Sequence, residues 1–122
     1  MHAERQSIAL TTAADGSCTA YSTPVTGRIL TVAYVKTDFA DGVDFTITLE
    51  NTGEAILTLT NQNTAGVFYP RVPIDDETGA DALYAAGGTK LRDYVVAAND
   101  RVKVIVAAGG DTKTGTIKIV VG

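Results

Sequence analysis

The sequence predicts an all-β protein: a single β-sandwich of seven to nine short antiparallel strands with jelly-roll or Greek-key connections. Three observations support this fold class. The chain has 122 residues, a length that suits one domain. Threonine, valine and isoleucine together account for 39 residues, and these β-branched types favour strands. Apolar and polar residues alternate with a period of two, between turn signals at fairly regular spacing.

The first part of the chain contains three predicted strands. The first covers residues 7–12 and ends before an Asp-Gly turn signal. The second covers residues 17–23 and stops at Pro24, which cannot donate a hydrogen bond to a sheet. The third, residues 28–37, is the longest. Because both of its faces carry apolar residues, we expect a central strand that is covered on most of its surface.

A hairpin in the middle of the chain is the clearest element. Residues 43–50 alternate strictly between apolar and polar side chains, as in a strand with one face in solvent. The loop that follows contains Gly53, which suits a tight turn, and residues 55–61 form the returning strand.

The alternation weakens between residues 61 and 90. Residues 66–72 predict only an edge strand or an extended arm, because prolines interrupt the ladder there. Residues 75–88 predict no more than a helical turn or two. The alternation then returns and predicts three final strands, over residues 91–97, 101–108 and 115–121.

Charge and targeting signals exclude several classes of partner. The net charge is −4 and the basic residues are scattered, whereas a nucleic-acid interface needs a basic face. No apolar run is long enough to cross a membrane, and the N-terminus lacks the apolar stretch of a signal peptide. We therefore expect no nucleic acid and no membrane as partners. The single cysteine, Cys18, fits a buried thiol in a protein made in a reducing cytoplasm.

The residues that catalysis needs are scarce. The only histidine is His2, in a segment, residues 1–6, that we expect to be a flexible N-terminal arm. A Ser-His-Asp triad therefore has no ordered base, and the glycine-rich stretches lack the spacing of a phosphate-binding loop. We predict no enzymatic activity, no catalytic residue and no cofactor.

Two acidic clusters are the candidates for a metal site. One consists of Asp38, Asp41 and Asp44, and the other lies within residues 75–81. Calcium requires six to eight oxygen ligands, and neither cluster has the spacing of an EF-hand. Aspartate is also a favoured turn residue, because its carboxylate accepts hydrogen bonds from nearby backbone amides. We therefore predict that the acidic residues of both clusters are turn residues and that neither cluster is a metal site. Calcium binding is the alternative.

A candidate partner interface lies at Phe68, Tyr69 and Arg71. Aromatic residues and arginine are enriched where protein interfaces are anchored, and this stretch is edge-like and bounded by prolines. The alternative is that Phe68 and Tyr69 cover one end of the core. Residues 1–6 could likewise order on a partner or form a frayed end.

The sequence resembles a group of small virion proteins of tailed bacteriophages that are encoded near the major capsid protein. The resemblance lies in residues 15–61, DGSCTAYSTPVTGRILTVAYVKTDFADGVDFTITLENTGEAILTLTN, and continues in FYPRV and LYAAGG. It ends with residues 99–122, NDRVKVIVAAGGDTKTGTIKIVVG, and so covers nearly the whole chain.

The resemblance implies a minor capsid or decoration protein on the outer surface of the phage head, where it cements neighbouring capsomers. It implies the major capsid protein as the partner, the virion as the location, and self-association, for which a trimer is the common form. No catalytic or metal-binding residue carries over. A neck, tail, fibre or baseplate component is the alternative, and a calcium-assisted surface-binding module is a third reading.

Overall fold

The computed structural model describes residues 3–73 and 92–122. Within these ranges there is no helix, and all paired strands are antiparallel. In chain order the strands are β1 (Glu4–Thr11), β2 (Cys18–Tyr21), β3 (Val25–Lys36), β4 (Asp44–Leu49), β5 (Ala55–Leu59), β6 (Gly66–Phe68), β7 (Val72–Pro73), β8 (Arg92–Asp93), β9 (Val96–Asp100), β10 (Val102–Ala107) and β11 (Thr114–Val121).

Nine of the described strands form two sheets. Sheet A has the order β1-β11-β3, and both β6 and β9 pair with β3. Sheet B has the order β2-β10-β4-β5. The short strands β7 and β8 pair only with each other among the described residues. The predicted all-β sandwich of seven to nine strands is therefore confirmed.

The connections are those of a jelly roll. The chain passes from sheet A to sheet B and back between successive strands from β1 to β4, and β4 and β5 then form a hairpin. The later strands pair with the earlier ones in reverse order, so that β9 pairs with β3, β10 with β2, and β11 with β1. This is a long hairpin rolled into a sandwich, and it contains the Greek-key arrangements expected from the sequence.

The edge of sheet A beyond β3 is formed by two separate strands. The backbone N–H of Arg28 donates to the carbonyl of Gly122, on the β11 side of β3. The next N–H along the strand, that of Ile29, donates to Val95, so β9 lies on the opposite side. There β9 pairs with the beginning of β3, and β6 pairs with residues near its end. One edge position is thus shared by β6 and β9, and the chain leaves this edge between them.

The core lies between the inward faces of the two sheets. Three buried aromatic rings, those of Tyr34, Phe39 and Phe45, meet there, with the centroids of Tyr34 and Phe45 4.7 Å apart. Valine, isoleucine and leucine side chains fill the remainder, as the period-two alternation predicts. Burial of these apolar side chains is the main force that holds the two sheets together.

Buried polar side chains satisfy the backbone where the chain changes sheets. The hydroxyl of Thr12 donates to the carbonyl of Gly110 and accepts from the N–H of Lys113. The hydroxyl of Ser22 accepts from the N–H of Val102 in the same way. The buried Asp100, the last residue of β9, accepts from a backbone N–H of the β4–β5 loop through its Oδ1 atom. These groups replace the ladder bonds that are lost at the crossings.

Several boundaries differ from the prediction. The flexible arm expected over residues 1–6 is wrong for residues 4–6, because β1 begins at Glu4 and pairs with β11. The side chain of Gln6 also accepts two hydrogen bonds from Thr23. Met1 and His2, and the helical turn predicted within residues 75–88, lie outside the described residues. The strand predicted over residues 91–97 is instead two strands, because the ladder is interrupted at Tyr94 and Val95.

Candidate functional site

The three residues of the predicted interface have different environments. Phe68 is half-buried and packs against the core, so the alternative reading applies to it. Tyr69 is 67% exposed, which makes it the most exposed large apolar residue among the described residues. Arg71 is half-buried, and its guanidinium donates to the carbonyl oxygens of Pro70 and Leu30. Only Tyr69 therefore contributes a prominent exposed surface.

Arg71 belongs to a cluster that fixes the point where the chain leaves sheet A. Its Cζ atom lies 3.8 Å from the ring centroid of Tyr94, and the Cζ atom of Arg28 lies 5.0 Å from the same centroid. Arginine is attracted to the negative face of an aromatic ring. Tyr94 thus joins the chain after β6 to the chain before β9. We infer a structural role for Arg71 at this junction.

Tyr69 lies beside other exposed apolar side chains on the outer face of sheet A. Val67 is 57% exposed and is paired with Ala33 on β3, where the next outward residue is Val35, 41% exposed. Val96, 59% exposed, is paired with Arg28 farther along the same edge. Four of the six large hydrophobic residues that are exposed in the described part of the chain therefore lie on one face.

The structure confirms the expectation about β3. The strand is central in sheet A, with β11 on one side and β6 and β9 on the other, and ten of its twelve residues are buried or half-buried. Val35 is one of its two exposed residues, and it lies on the outward face with Val67. Exposed apolar clusters of this kind are typical of interaction sites.

Among the described residues, the charges on this outer face have a single sign. We define the outer face by the outward residues of the strands of sheet A and by Tyr69 directly after β6: Arg5, Ser7, Ala9, Thr11, Arg28, Thr31, Ala33, Val35, Val67, Tyr69, Val96, Thr114, Thr116, Lys118 and Val120. These positions include three cations and no carboxylate. Glu4 is exposed at the start of β1 but has the alternate, inward parity. The face is thus basic and apolar in a chain whose net charge is −4.

The described acidic cluster lies in the loop between β3 and β4 and at the first residue of β4. Asp38 accepts hydrogen bonds from the backbone N–H and the hydroxyl of Thr114, and the backbone bond is the main cause that lowers the pKa of Asp38. Asp44 accepts from the N–H of Asn61, and Asp41 lies 3.4 Å from the Lys36 ammonium. Each carboxylate therefore has a protein partner, but the partners are distant backbone amides or a lysine rather than the neighbouring amides of the turn reading.

No group of three or more potential metal ligands occurs within residues 3–73 and 92–122. The second acidic cluster, Asp75, Asp76, Glu77 and Asp81, lies outside the described residues. Cys18 is half-buried against the core, and burial raises the pKa of its thiol. No pocket opens on the part of the chain that the structure describes.

Sequence reasoning missed most of the outer face of sheet A. The outward positions of β1 and β11 can be recognised from their alternation with buried isoleucines, as at Lys118 between Ile117 and Ile119. The alternation within a strand does not show which other strands it pairs with. Arg5, Lys118 and Val67 share one face only because the strands of sheet A have the order β1-β11-β3-β6.

The described residues contain no helix with the length and hydropathy required to cross a membrane. Comparisons of the chain with protein-family models, with curated proteins and with solved structures give no match.

Proposed function

We propose that this chain is a structural virion protein of a tailed bacteriophage. In this proposal it is a minor capsid or decoration protein that binds the outer surface of the head and stabilises the contacts between capsomers. The sequence resemblance, which extends over nearly the whole chain, supports the phage assignment. The jelly-roll connections are compatible with it, since this topology is common in viral capsid domains, although lectin domains share it. Fold alone does not define function.

The observation that carries the proposal is the exposed apolar cluster on the outer face of sheet A. Val67, Tyr69 and Val96 are each more than half exposed, although the described residues pack a core of their own. A sheet face with such side chains suits a protein partner. We therefore assign the chain a binding role and no catalytic one.

Many copies on one shell would make even weak contacts effective. When a chain bridges neighbouring capsomers, the second contact forms at the high effective concentration set by the first. Each bridge adds buried area between capsomers, and this area must be exposed again before the shell opens. In this way a small domain without an active site would stabilise a head under internal pressure. Self-association, as in a trimer, would multiply the contacts further.

A neck, tail, fibre or baseplate component is the second candidate. It needs the same kind of exposed binding face, so the fold does not distinguish it from a head protein. The calcium-assisted surface-binding module gains no specific support, because Asp38, Asp41 and Asp44 each bind protein groups.

Copy number tests the proposal. Quantitative mass spectrometry of purified virions of the source phage would give the number of these chains per major capsid protein. A ratio of the same order as that of the shell protein is expected for head decoration. A handful of copies per particle would refute head decoration and favour the neck or tail, and complete absence would refute the virion assignment.

A further inference from the structure

The outer face of sheet A combines two features that point to the chemistry of its partner. The first is the apolar cluster around Val67 and Tyr69 at the β6 edge. The second is the charge. Lys118 on β11 and Arg5 on β1 are diagonal neighbours, because Arg5 is paired with Val120, two residues after Lys118. Among the described residues, no outward position of this sheet carries a carboxylate.

The opposite surface of the sandwich differs. The outer face of sheet B carries carboxylates as well as cations: Asp44 at the start of β4, Lys103 on β10, and the ion pair between Glu50 and Arg101 at one end, with threonines between them. Its exposed large apolar residues are Tyr21 and Ile105, and the ring of Tyr21 is covered by Arg101 at 4.2 Å. The described carboxylates are concentrated in loops and at strand ends, as at Asp15, Asp41 and Asp111. The basic and apolar combination is therefore specific to sheet A.

We propose that the outer face of sheet A docks on an acidic, partly apolar surface of the head shell. The inference rests on the proposed function, because it takes the shell to be the partner. Apolar contact at Val67 and Tyr69 supplies most of the affinity, and Lys118 and Arg5 meet carboxylates on the β11 and β1 side of the same face. Complementary charge across an interface speeds association and fixes its register.

The charge pattern disfavours a second copy as the occupant in a face-to-face contact. In such a symmetric pair the same face, which has cations and no carboxylate at its described positions, would lie on both sides of the contact. Like charges across an interface oppose association. An acidic partner surface would avoid this repulsion. Neither sheet face of the described chain is such a surface.

A binding experiment with matched variants tests this inference. The purified chain is sedimented with empty shells assembled from the major capsid protein of the source phage, at low and raised salt. Lys118→Glu places a carboxylate on the proposed face, and Lys103→Glu is its control. Both lysines are half-buried, and each lies on a strand between two others of its sheet. Tyr69→Ala and Tyr21→Ala form a second pair, with one exposed tyrosine on each sheet face.

We expect Lys118→Glu and Tyr69→Ala each to weaken shell binding by about tenfold or more. Lys103→Glu and Tyr21→Ala should change it by less than about twofold, as distant contacts do. Raised salt should weaken binding of the wild-type chain, because salt screens exposed charges. Circular dichroism and the thermal midpoint verify that each variant is folded.

The experiment distinguishes failure of this inference from failure of the proposed function. If the wild-type chain binds shells and Lys118→Glu and Tyr69→Ala bind equally well, the face is wrong while the proposed function stands. The same holds if the sheet B variants lose binding instead. If the wild-type chain does not bind shells at all, the proposed function and this inference are both refuted.

Discussion

Replacing Tyr34 by phenylalanine removes one hydroxyl group from the centre of the core. Tyr34 is 1% exposed, and its ring packs against the rings of Phe39 and Phe45. Its hydroxyl has no hydrogen-bond partner among the described residues. A Tyr→Phe change usually destabilises a protein when the hydroxyl is bonded. Here we expect the opposite sign, because the described residues offer the buried hydroxyl no replacement for the bonds to water that it loses on folding.

The magnitude follows from two opposing contributions. A buried hydroxyl without a partner costs about 1–3 kcal/mol of folding free energy. Its removal leaves a void no larger than one oxygen atom, and at about 24 cal/mol per Å³ this void costs only tenths of a kcal/mol. We therefore expect Tyr34→Phe to raise the free energy of unfolding by about 1–2 kcal/mol. The midpoint of thermal unfolding should rise by about 4 °C for each kcal/mol.

Urea unfolding at neutral pH measures the effect, with Tyr69→Phe as the control. Tyr69 is mostly exposed, so its hydroxyl remains bonded to water in both states and the control should shift by less than about 0.5 kcal/mol. If Tyr34→Phe lowers the free energy of unfolding by about 1 kcal/mol or more, the hydroxyl has a bonded partner and the reasoning fails.

A comparison of the wild-type chain with Tyr34→Phe at high pH gives a second test. Burial raises the pKa of Tyr34 above its ordinary value of 10.0. Above the unfolded-state pKa, the unfolded chain loses the phenolic proton while the folded chain keeps it. The free energy of unfolding therefore falls as the pH rises past that value. This part of the loss should be absent in Tyr34→Phe, so the stability difference between the two proteins should widen at alkaline pH.

Three further predictions concern the core and the loop between β3 and β4. Phe45→Ala, at a fully buried position, should lower the free energy of unfolding by about 3–5 kcal/mol in urea titrations. Gly115→Ala should cost about 1–3 kcal/mol in the same assay, because its Cβ would lie 2.5 Å from Cε2 of Phe39; an unchanged midpoint would show that the ring moves aside freely. Asp38 has a pKa below its ordinary 3.8, mainly because the N–H of Thr114 donates to its carboxylate. Its contribution to stability is therefore present above the unfolded-state pKa and lost as the pH falls through the folded-state pKa. In a plot of the free energy of unfolding against pH, Asp38→Ala should therefore fall less steeply on the acid side than the wild-type chain. An equally steep fall would contradict the role assigned to Asp38.

The fold could be predicted from local patterns because each strand carries its own signal. The hairpin of β4 and β5 appears where strict alternation surrounds Gly53, which has the positive φ that a tight turn requires. The limits of β1 could not be predicted, because its first residues are polar. They are ordered by the pairing of Glu4 with Val121, a partner more than a hundred residues away. Non-local pairing of this kind leaves no mark on the local sequence.

The candidate site was predictable only in part for the same reason. Phe68 is the last residue of β6 and Tyr69 follows it; Phe68 packs against the core, whereas Tyr69 lies at the surface. Sequence alone did not decide which one is exposed, because the prolines around them obscure the alternation. Arg71 was assigned to an interface from its residue type, whereas its contact with Tyr94 depends on how the chain returns to the sheet edge at β9.

The outer face of sheet A also constrains how copies of this chain can assemble. A closed trimer uses a contact between two different surfaces of neighbouring copies. If one of these surfaces were the basic face with Lys118, an acidic loop of the next copy would cover it, and the face would be lost to the shell. Shell docking and trimer formation through this face therefore exclude each other. A trimer that docks must be held by other surfaces, such as the sheet edges at β2 and β5. We thus expect Lys118→Glu to leave the molar mass measured by light scattering unchanged. A variant that dissociates while the wild-type chain remains oligomeric would instead place the contact between copies on this face.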